Sequence, residues 1–476
     1  MTAPRILQAR HPLTGQIDFE FSAASREEVA AICAQVRAHQ PAWQALGVEG
    51  RSAALARLAT ALATSGTVLL DALRADTGRE RIAHIELAAV QGLVHLNLQH
   101  AAAVLTPAGG ADWQPSSLPD IFGRPQLVPH PVVGIIAPWN FPLILSMIDA
   151  IPALLAGCGV VLKPSEVTPR YASPLRDLIA SIPELAPVFG LAMGDGATGA
   201  DLVDHVDAVV LTGSVKTGRK VAEHAARRFI PAFLELGGKD AVIITASADL
   251  DRAADAVLRA SVLATGQACQ SLERILVQRE LFDPLRQRLL ARLPAVRLTC
   301  DDPAGHIGPF IMARQAEIVA EQLADAVAQG ACIEFGGKLR HRGGVWCEPT
   351  LVTGVTADMR LMQEETFGPI MPMLAYDTVD EAIRIANGTD YGLSANVLAG
   401  SEQEALAIAE RLDAGFISLN EISLSSQVMD FEWEGWKFSG LGRSRLGRSG
   451  VARYLRQKAI VTHRGPVAPI TMMTDR

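Results

Sequence analysis

Two short runs hold the residue types that covalent carbonyl chemistry requires. Cys269 lies in Thr265-Gly266-Gln267-Ala268-Cys269-Gln270-Ser271, and Glu235 lies upstream in Phe233-Leu234-Glu235-Leu236-Gly237-Gly238-Lys239. A thiolate can attack a carbonyl carbon, and releasing the resulting adduct with water needs a general base. Both groups sit in Gly-containing turns, which can present them to a ligand. Taken alone, each is better explained as a core cysteine and a solvated glutamate. Their weight depends on what surrounds them.

Three further candidates stand where short apolar runs end. Leu211-Thr212-Gly213-Ser214-Val215-Lys216-Thr217-Gly218 reads as a strand, a Gly-bracketed turn and a helix start. Such a turn offers backbone N–H groups and a helix N-terminus to an anion such as a pyrophosphate. It lacks the G-x-G-x-x-G spacing, and a βα turn with nothing bound explains it as well. Leu162-Lys163-Pro164-Ser165-Glu166 puts a lysine and an acid at a strand end, suited to ribose hydroxyls or to a plain surface turn. In Pro138-Trp139-Asn140-Phe141-Pro142 the asparagine is fixed between prolines and aromatics. Its amide is a neutral donor for a developing oxyanion, although a turn asparagine is the ordinary reading.

The elements that must position these residues follow from periodicity. Ser25 to Glu28 forms a capping box before a helical pattern, and further helical patterns cover about Arg51 to Ala63 and Arg81 to Val104. Between Pro107 and Pro131 the chain is irregular, with Leu127-Val128-Pro129 as an extended arm. Apolar runs at 132–136, 159–162, 208–211 and 241–244 then alternate with helical segments near Leu143–Leu155, Ala172–Ile182 and Lys216–Arg227. That alternation predicts a parallel sheet buried on both faces. Beyond Cys269, runs at 274–277, 349–352 and 416–419 predict a second α/β domain.

Bulk properties narrow the class. A chain of 476 residues, 49% hydrophobic and 20% charged, predicts a globular protein of two or three domains. A net charge of −8 without long basic runs argues against nucleic acid. The six cysteines are scattered, with no C-x-x-C, so neither a disulfide framework nor a metal site is expected. No secretory h-region opens the chain, and Pro138, Pro142, Asp149 and Pro152 break its most apolar stretch. No membrane span is expected, and a reducing, cytoplasmic setting is.

Together these signals resemble the aldehyde dehydrogenase superfamily. The resemblance rests on Pro138–Pro142, Lys163–Glu166, Thr212-Gly213-Ser214 with Gly218, Glu235–Lys239, Gly266-Gln267 with Cys269, Glu364-Glu365-Thr366-Phe367-Gly368-Pro369, Asn420 and Ser439–Arg443, in family order. It implies a non-acylating, NAD(P)-dependent enzyme that oxidises an aldehyde to its carboxylic acid. Cys269 would be the nucleophile, Glu235 the base for water, and Asn140 with the Cys269 N–H the oxyanion donors. Trp139, Lys163, Glu166, Gly213, Ser214, Gly218, Leu236, Gly237, Glu365 and Phe367 would hold the cofactor. Glu166 near a ribose 2′-hydroxyl favours NAD, with NADP possible. Phe141, Leu145, Ile148, Gln270 and Trp433 would line the substrate pocket, which suits an aromatic or medium-chain aldehyde.

The resemblance also implies an α/β fold in three parts. These are a Rossmann-like coenzyme domain (1–110 and 131–236), a catalytic domain (237–438) and a small β oligomerisation element (111–130 and 439–476). A soluble homodimer or homotetramer follows. One departure stands out: Glu432-Trp433-Glu434-Gly435-Trp436-Lys437 replaces the family's Pro-Phe-Gly-Gly before the lysine. If Glu432 and Glu434 face the pocket mouth they disfavour anionic substrates; a solvated loop is the other reading. Two other functions compete, a cysteine-dependent thioesterase-type hydrolase and a catalytically silent nucleotide-binding relative. The intact cofactor motifs speak against the first, and Asn140, Glu235 and Cys269 together against the second.

Overall fold

The computed structural model describes residues 5–105, 112–467 and 469–473; the expected junction at 110–111 and both chain ends lie outside them. The capping box forms as read. Ser25 Oγ accepts the Glu28 N–H at 3.2 Å, Glu28 accepts the Ser25 N–H at 2.7 Å, and the helix Arg26–Ala45 follows. The helices Gly47–Ser65 and Glu80–Leu105 extend the expected ones by a turn or less at their ends. An unforeseen helix, Thr67–Thr77, lies between them and ends where Gly78 takes a left-handed φ of 66°. Its short length between two glycines hid its period.

Continuous β-branched runs become fully buried parallel strands. The first sheet has the order Gly440–Leu441, Ala232–Glu235, Ala208–Thr212, Val132–Ile136, Gly159–Lys163, Phe189–Leu191, parallel except for the first. The second runs Cys332–Phe335, Thr350–Thr353, Ile370–Tyr376, Leu272–Gln278, Asp240–Ile244, Ser394–Leu398, Phe416–Leu419, with only Cys332–Phe335 antiparallel. Sequence reading missed the strands Ile370–Tyr376 and Ser394–Leu398. The former contains Pro372, which argues against a central strand, and the latter is only five residues long.

The third element is the antiparallel sheet of Leu455–His463, Ile121–Pro129 and Gln114–Pro115, paired through its whole length from Leu455↔Pro129 to His463↔Ile121. The segment expected to join it from residue 439 divides instead. Gly440–Leu441 pairs with the first sheet, the helix Gly447–Ala452 follows, and Tyr454 is buried in the first core. Tyr454 also packs edge-on against Phe233, which explains why this stretch returns before the arm begins.

The helix Pro142–Ala156 is apolar almost all round and buried to match. Burying each of Leu143, Ile151, Leu154 and Leu155 stabilises the fold by roughly 1.5–3 kcal/mol. Pro142 suits its first turn, where an N–H has no intrahelical partner. The next two N–H groups, of Leu143 and Ile144, donate to the buried Glu86 carboxylate at 2.9 and 3.1 Å. No single helix among the described residues is long and apolar enough to cross a membrane. The pair Gly47–Ser65 and Thr67–Thr77 meets the length and composition only across a 74° bend, and its leucines 55, 58, 62, 69 and 73 are buried in the first core.

Because Glu86 caps that helix from a neighbouring one, Glu86→Leu leaves two buried donors without an acceptor. We expect a loss of roughly 2–4 kcal/mol, read as a lower urea midpoint for the first core's unfolding; an unchanged midpoint would refute the capping role.

Candidate active site

Cys269 stands just before the strand Leu272–Gln278, after a turn in which Ala264, Thr265 and Gly266 take φ of 54°, 64° and 68°. Left-handed backbone at two non-glycine residues in a row costs on the order of 1–2 kcal/mol each, so the surroundings must enforce it. They do so from one neighbouring loop. Thr265 Oγ1 donates to Gly308 O at 3.1 Å, Gln267 Nε2 to Pro309 O at 3.1 Å, and Ile311 N to Gln267 Oε1 at 3.0 Å. At Gly266 a Cβ would run into the Gly368 carbonyl, and at Gly238 it would lie 2.5 Å from the Cys269 carbonyl oxygen. The motif glycines are thus places where loops of different strands touch.

Asn140 reaches this loop from the end of the strand Val132–Ile136. Its Nδ2 donates to Gln267 O at 3.1 Å, and its own carbonyl accepts from the buried Arg79 guanidinium. An amide nitrogen has two hydrogens, so one remains for a second acceptor. Glu235, the last residue of its strand, acts electrostatically on Cys269, and the chain three residues on abuts the Cys269 backbone. The structure therefore brings Asn140, Glu235 and Cys269 to one place from three strand ends.

The electrostatics are those of a resting site. Burial, with the carboxylates of Glu365 and Asp240 nearby, pushes the half-buried Cys269 thiol up to about 12. Burial likewise raises the Glu235 carboxyl above its ordinary value, opposed by Arg445 and Arg453. At neutral pH the thiol is protonated and needs a base to become nucleophilic.

The expected cofactor residues lie along the same edge. Gly213 donates its N–H to Glu235 O at 3.0 Å, and Ser214 caps the helix Val215–Arg228 by accepting the Thr217 N–H at 3.3 Å. A Cβ on Gly218 would meet the Leu236 side chain at 2.7 Å, so these two set the helix against the sheet. Lys163 Nζ holds Glu166 at 3.1 Å and Gly194 O at 3.0 Å, with Glu166 half exposed. Glu365 accepts the Gly238 N–H at 3.1 Å, and a Cβ on Gly237 would lie 2.6 Å from its carboxylate. Trp139 and Phe367 meet edge-on at 5.4 Å between ring centres. A helix N-terminus, a lysine–acid pair, close-packed glycines and an aromatic pair are features that suit a dinucleotide.

On the substrate side, Leu145 and Trp433 pack on the first core, Ile148 is buried, and Trp433 meets Phe416 edge-on at 5.8 Å. Phe141 is covered by the Arg79 guanidinium, 5.0 Å above its ring. Gln270 is tied by its carbonyl to Ser423 Oγ at 3.1 Å. Glu432 accepts from the Ser449 N–H at 2.9 Å and from the Ser449 hydroxyl, and Glu434 from the Ser444 N–H at 3.3 Å. Both acids brace the C-terminal segment.

Several site residues escaped the sequence. Glu273 accepts the Thr366 and Phe367 N–H groups, each at 2.8 Å, and pairs with buried Lys239 at 2.7 Å. Asp149, Arg445 and Arg453 form a buried ion cluster beside Glu235. The one available signal was an aspartate inside an otherwise apolar helix. Arg79 and Gln267 carried none beyond the G-Q-x-C run itself.

The structure combines two largely parallel sheets with a half-buried thiol and strand-end residues of the kind that suit a dinucleotide. The comparisons make this specific: the sequence model of the Aldehyde dehydrogenase family matches residues 2–460, and the chain belongs to that family. It is 36% identical over 445 residues to the "Putative succinate-semialdehyde dehydrogenase [NADP(+)]" of Mycolicibacterium smegmatis, covering 92% of this chain and 85% of that one. It matches the structure of "Putative Aldehyde Dehydrogenase PutA" from Anabaena variabilis at 44% identity and a TM-score of 0.94, over 98% and 99% of the two chains. Betaine aldehyde dehydrogenase from Staphylococcus aureus in complex with NAD+ matches at 29% identity and a TM-score of 0.91, over 97% and 93%.

A thiol held near 12 has a simple signature. In the protein alone, iodoacetamide labelling of Cys269, followed by peptide mass spectrometry, should keep rising with pH through 9. A plateau reached near pH 8 would show a thiolate already formed.

Proposed function

We propose that the chain oxidises an aromatic or medium-chain aldehyde to its acid through a thioester on Cys269. The observation that supports this most is the Asn140 amide held to the carbonyl of Gln267, two residues before Cys269, with one N–H left over for an acceptor. Glu235 takes the thiol proton, and the sulfur bonds to the aldehyde carbon. The resulting oxyanion accepts hydrogen bonds from Asn140 Nδ2 and the Cys269 N–H, an effect worth on the order of 3 kcal/mol. NAD(P), when bound, supplies the hydride acceptor; NAD is favoured by Glu166, which repels a 2′-phosphate. Loss of hydride leaves an acyl thioester on Cys269. Glu235 passes the thiol proton to solvent and then removes a proton from water as the water oxygen adds to the acyl carbon; the thiolate leaves and is reprotonated by Glu235, giving the carboxylic acid. A raised carboxyl pKa suits such a base.

The relatives' names span an anionic aldehyde and a cationic one, so kinship does not select the substrate. The apolar reading is supported by Leu145, Ile148 and Trp433, and by Glu432 and Glu434 being engaged within the chain. The indole N–H of Trp433 is buried without a partner among the described residues, so a substrate bearing one acceptor would gain there. The free edge of Leu455–His463, with Val461 and Ile460 exposed, suits pairing with a second copy, and scattered free thiols suit a cytoplasmic setting.

NAD(P)H absorbance over a panel of hexanal, benzaldehyde, succinate semialdehyde and betaine aldehyde tests the reaction. The first two should give the highest kcat/KM, Cys269→Ala should lose all detectable turnover, and Glu235→Gln should slow both single-turnover NADH formation and steady turnover, the latter about 10²–10⁴-fold. Turnover surviving in Cys269→Ala would remove the mechanism. For assembly, sedimentation velocity should give a dimer or tetramer that Val461→Asp dissociates; a wild-type monomer of 50.7 kDa would end that reading.

A further inference from the structure

The helix Pro142–Ala156 carries one charged residue, Asp149, wholly buried. Its two oxygens are taken by two arginines of the returning C-terminal segment. Arg445 pairs with Oδ2 and also donates to Thr212 Oγ1 at 2.9 Å. Arg453 pairs with Oδ1, and donates to Tyr454 Oη at 2.8 Å and to Arg443 O at 3.2 Å. Arg453 Nη1 then lies 3.9 Å from Glu235 Oε1, within ion-pair range and beyond hydrogen-bond reach. The Nε groups of both arginines are buried without an acceptor among the described residues. Two cations thus share one dedicated anion, and the surplus positive charge faces Glu235.

Resting on the thioester reading above, we propose that Arg445 and Arg453, metered by Asp149, are positioning residues that keep Glu235 ionised and draw its carboxylate back from the thiol between its two proton transfers. The cluster does what neither partner does alone. Without the arginines a buried glutamate beside Cys269 and Glu434 is a neutral acid and cannot accept a proton from water. Without Asp149 the two guanidiniums would hold the carboxylate as a fixed ion pair and make it a poor base. The charged and titratable groups acting on Glu235 are Arg445 and Arg453 from the C-terminal segment, Asp149 from the helix, Glu434 from the preceding loop, and Cys269 from the nucleophile turn. Burial works to lower the pKa of both arginines, but the surrounding anions outweigh it and the net shift of each is upward, so both stay charged throughout. The 3.9 Å gap leaves the carboxylate free to move away from Arg453 toward the acyl carbon side without breaking a hydrogen bond to it.

The sign of the effect is the test. Removing a cation raises the Glu235 pKa and moves the acid limb of deacylation to higher pH, whereas removing the anion moves it to lower pH. The pH profile of steady-state kcat with benzaldehyde and NAD+ should shift up by about one unit in Arg445→Gln, with roughly tenfold slower turnover below the limb. Arg445→Lys should restore it, and Asp149→Asn should shift it down. The single-turnover burst of NADH, which needs Cys269 but not hydrolysis, should keep its amplitude in all three. A limb that stays in place in both Arg445→Gln and Asp149→Asn, with wild type active, overturns this inference alone. A limb that moves the same way in both variants does the same, since general loosening has one sign. A wild type without any NADH burst on the aldehyde panel overturns the thioester reading and this inference with it.

Discussion

Everything at the site depends on how closely two backbones approach each other. The Cys269 turn lies between the Gly237-Gly238 segment on one side and Gly368 on the other, with no room for a Cβ at Gly238 or Gly266. Such proximity fixes the nucleophile by main-chain contacts, which side-chain rotation cannot relax. It also explains the run of left-handed residues. Only a sharply turned chain fits the gap, and the Gln267 side chain, hydrogen-bonded to two backbone groups of the opposing loop, holds it there.

Charge is handled by the opposite strategy. Burial pushes the thiol, Glu365 and Asp240 toward their neutral forms, and it works in the same direction on Glu235, where Arg445 and Arg453 oppose it. Guanidinium groups are placed where a residue must stay charged, next to Glu235, or where a carbonyl must be held, as Arg79 holds that of Asn140. Arginine suits both tasks because it keeps its charge when buried.

Much of this was legible in the chain. The runs 132–136, 208–211 and 241–244 are unbroken and apolar, and the burial of their strands on both faces follows from that composition. The motifs at their ends mark the site because ligands bind at strand C-termini in such sheets. What stayed hidden is what tertiary folding alone creates. Arg445 and Arg453 look like surface residues of a basic tail, and their burial follows only from Tyr454 entering the first core. Glu273 sits in an alternating strand where nothing local shows that its carboxylate reaches two amides nearly a hundred residues away. Ile370–Tyr376 was missed for the opposite reason, since Pro372 suppresses a strand pattern that its neighbours supply.

The Glu273 carboxylate has one more consequence. It belongs to the strand that begins just after Cys269, and it holds the Thr366-Phe367 backbone beside Glu365. Cys269 and the Thr366-Phe367 backbone are therefore tied to one strand, while Asn140 and Glu235 arrive from the other sheet. Any breathing between the two sheets divides the site along that line. Cys269 and Phe367 keep their spacing, and Asn140 and Glu235 withdraw together. On the mechanism proposed above, the two half-reactions would differ in mechanical tolerance: the steps that use Asn140 and Glu235 would need the two sheets held together, and the alignment of Cys269 with Phe367 would survive their parting.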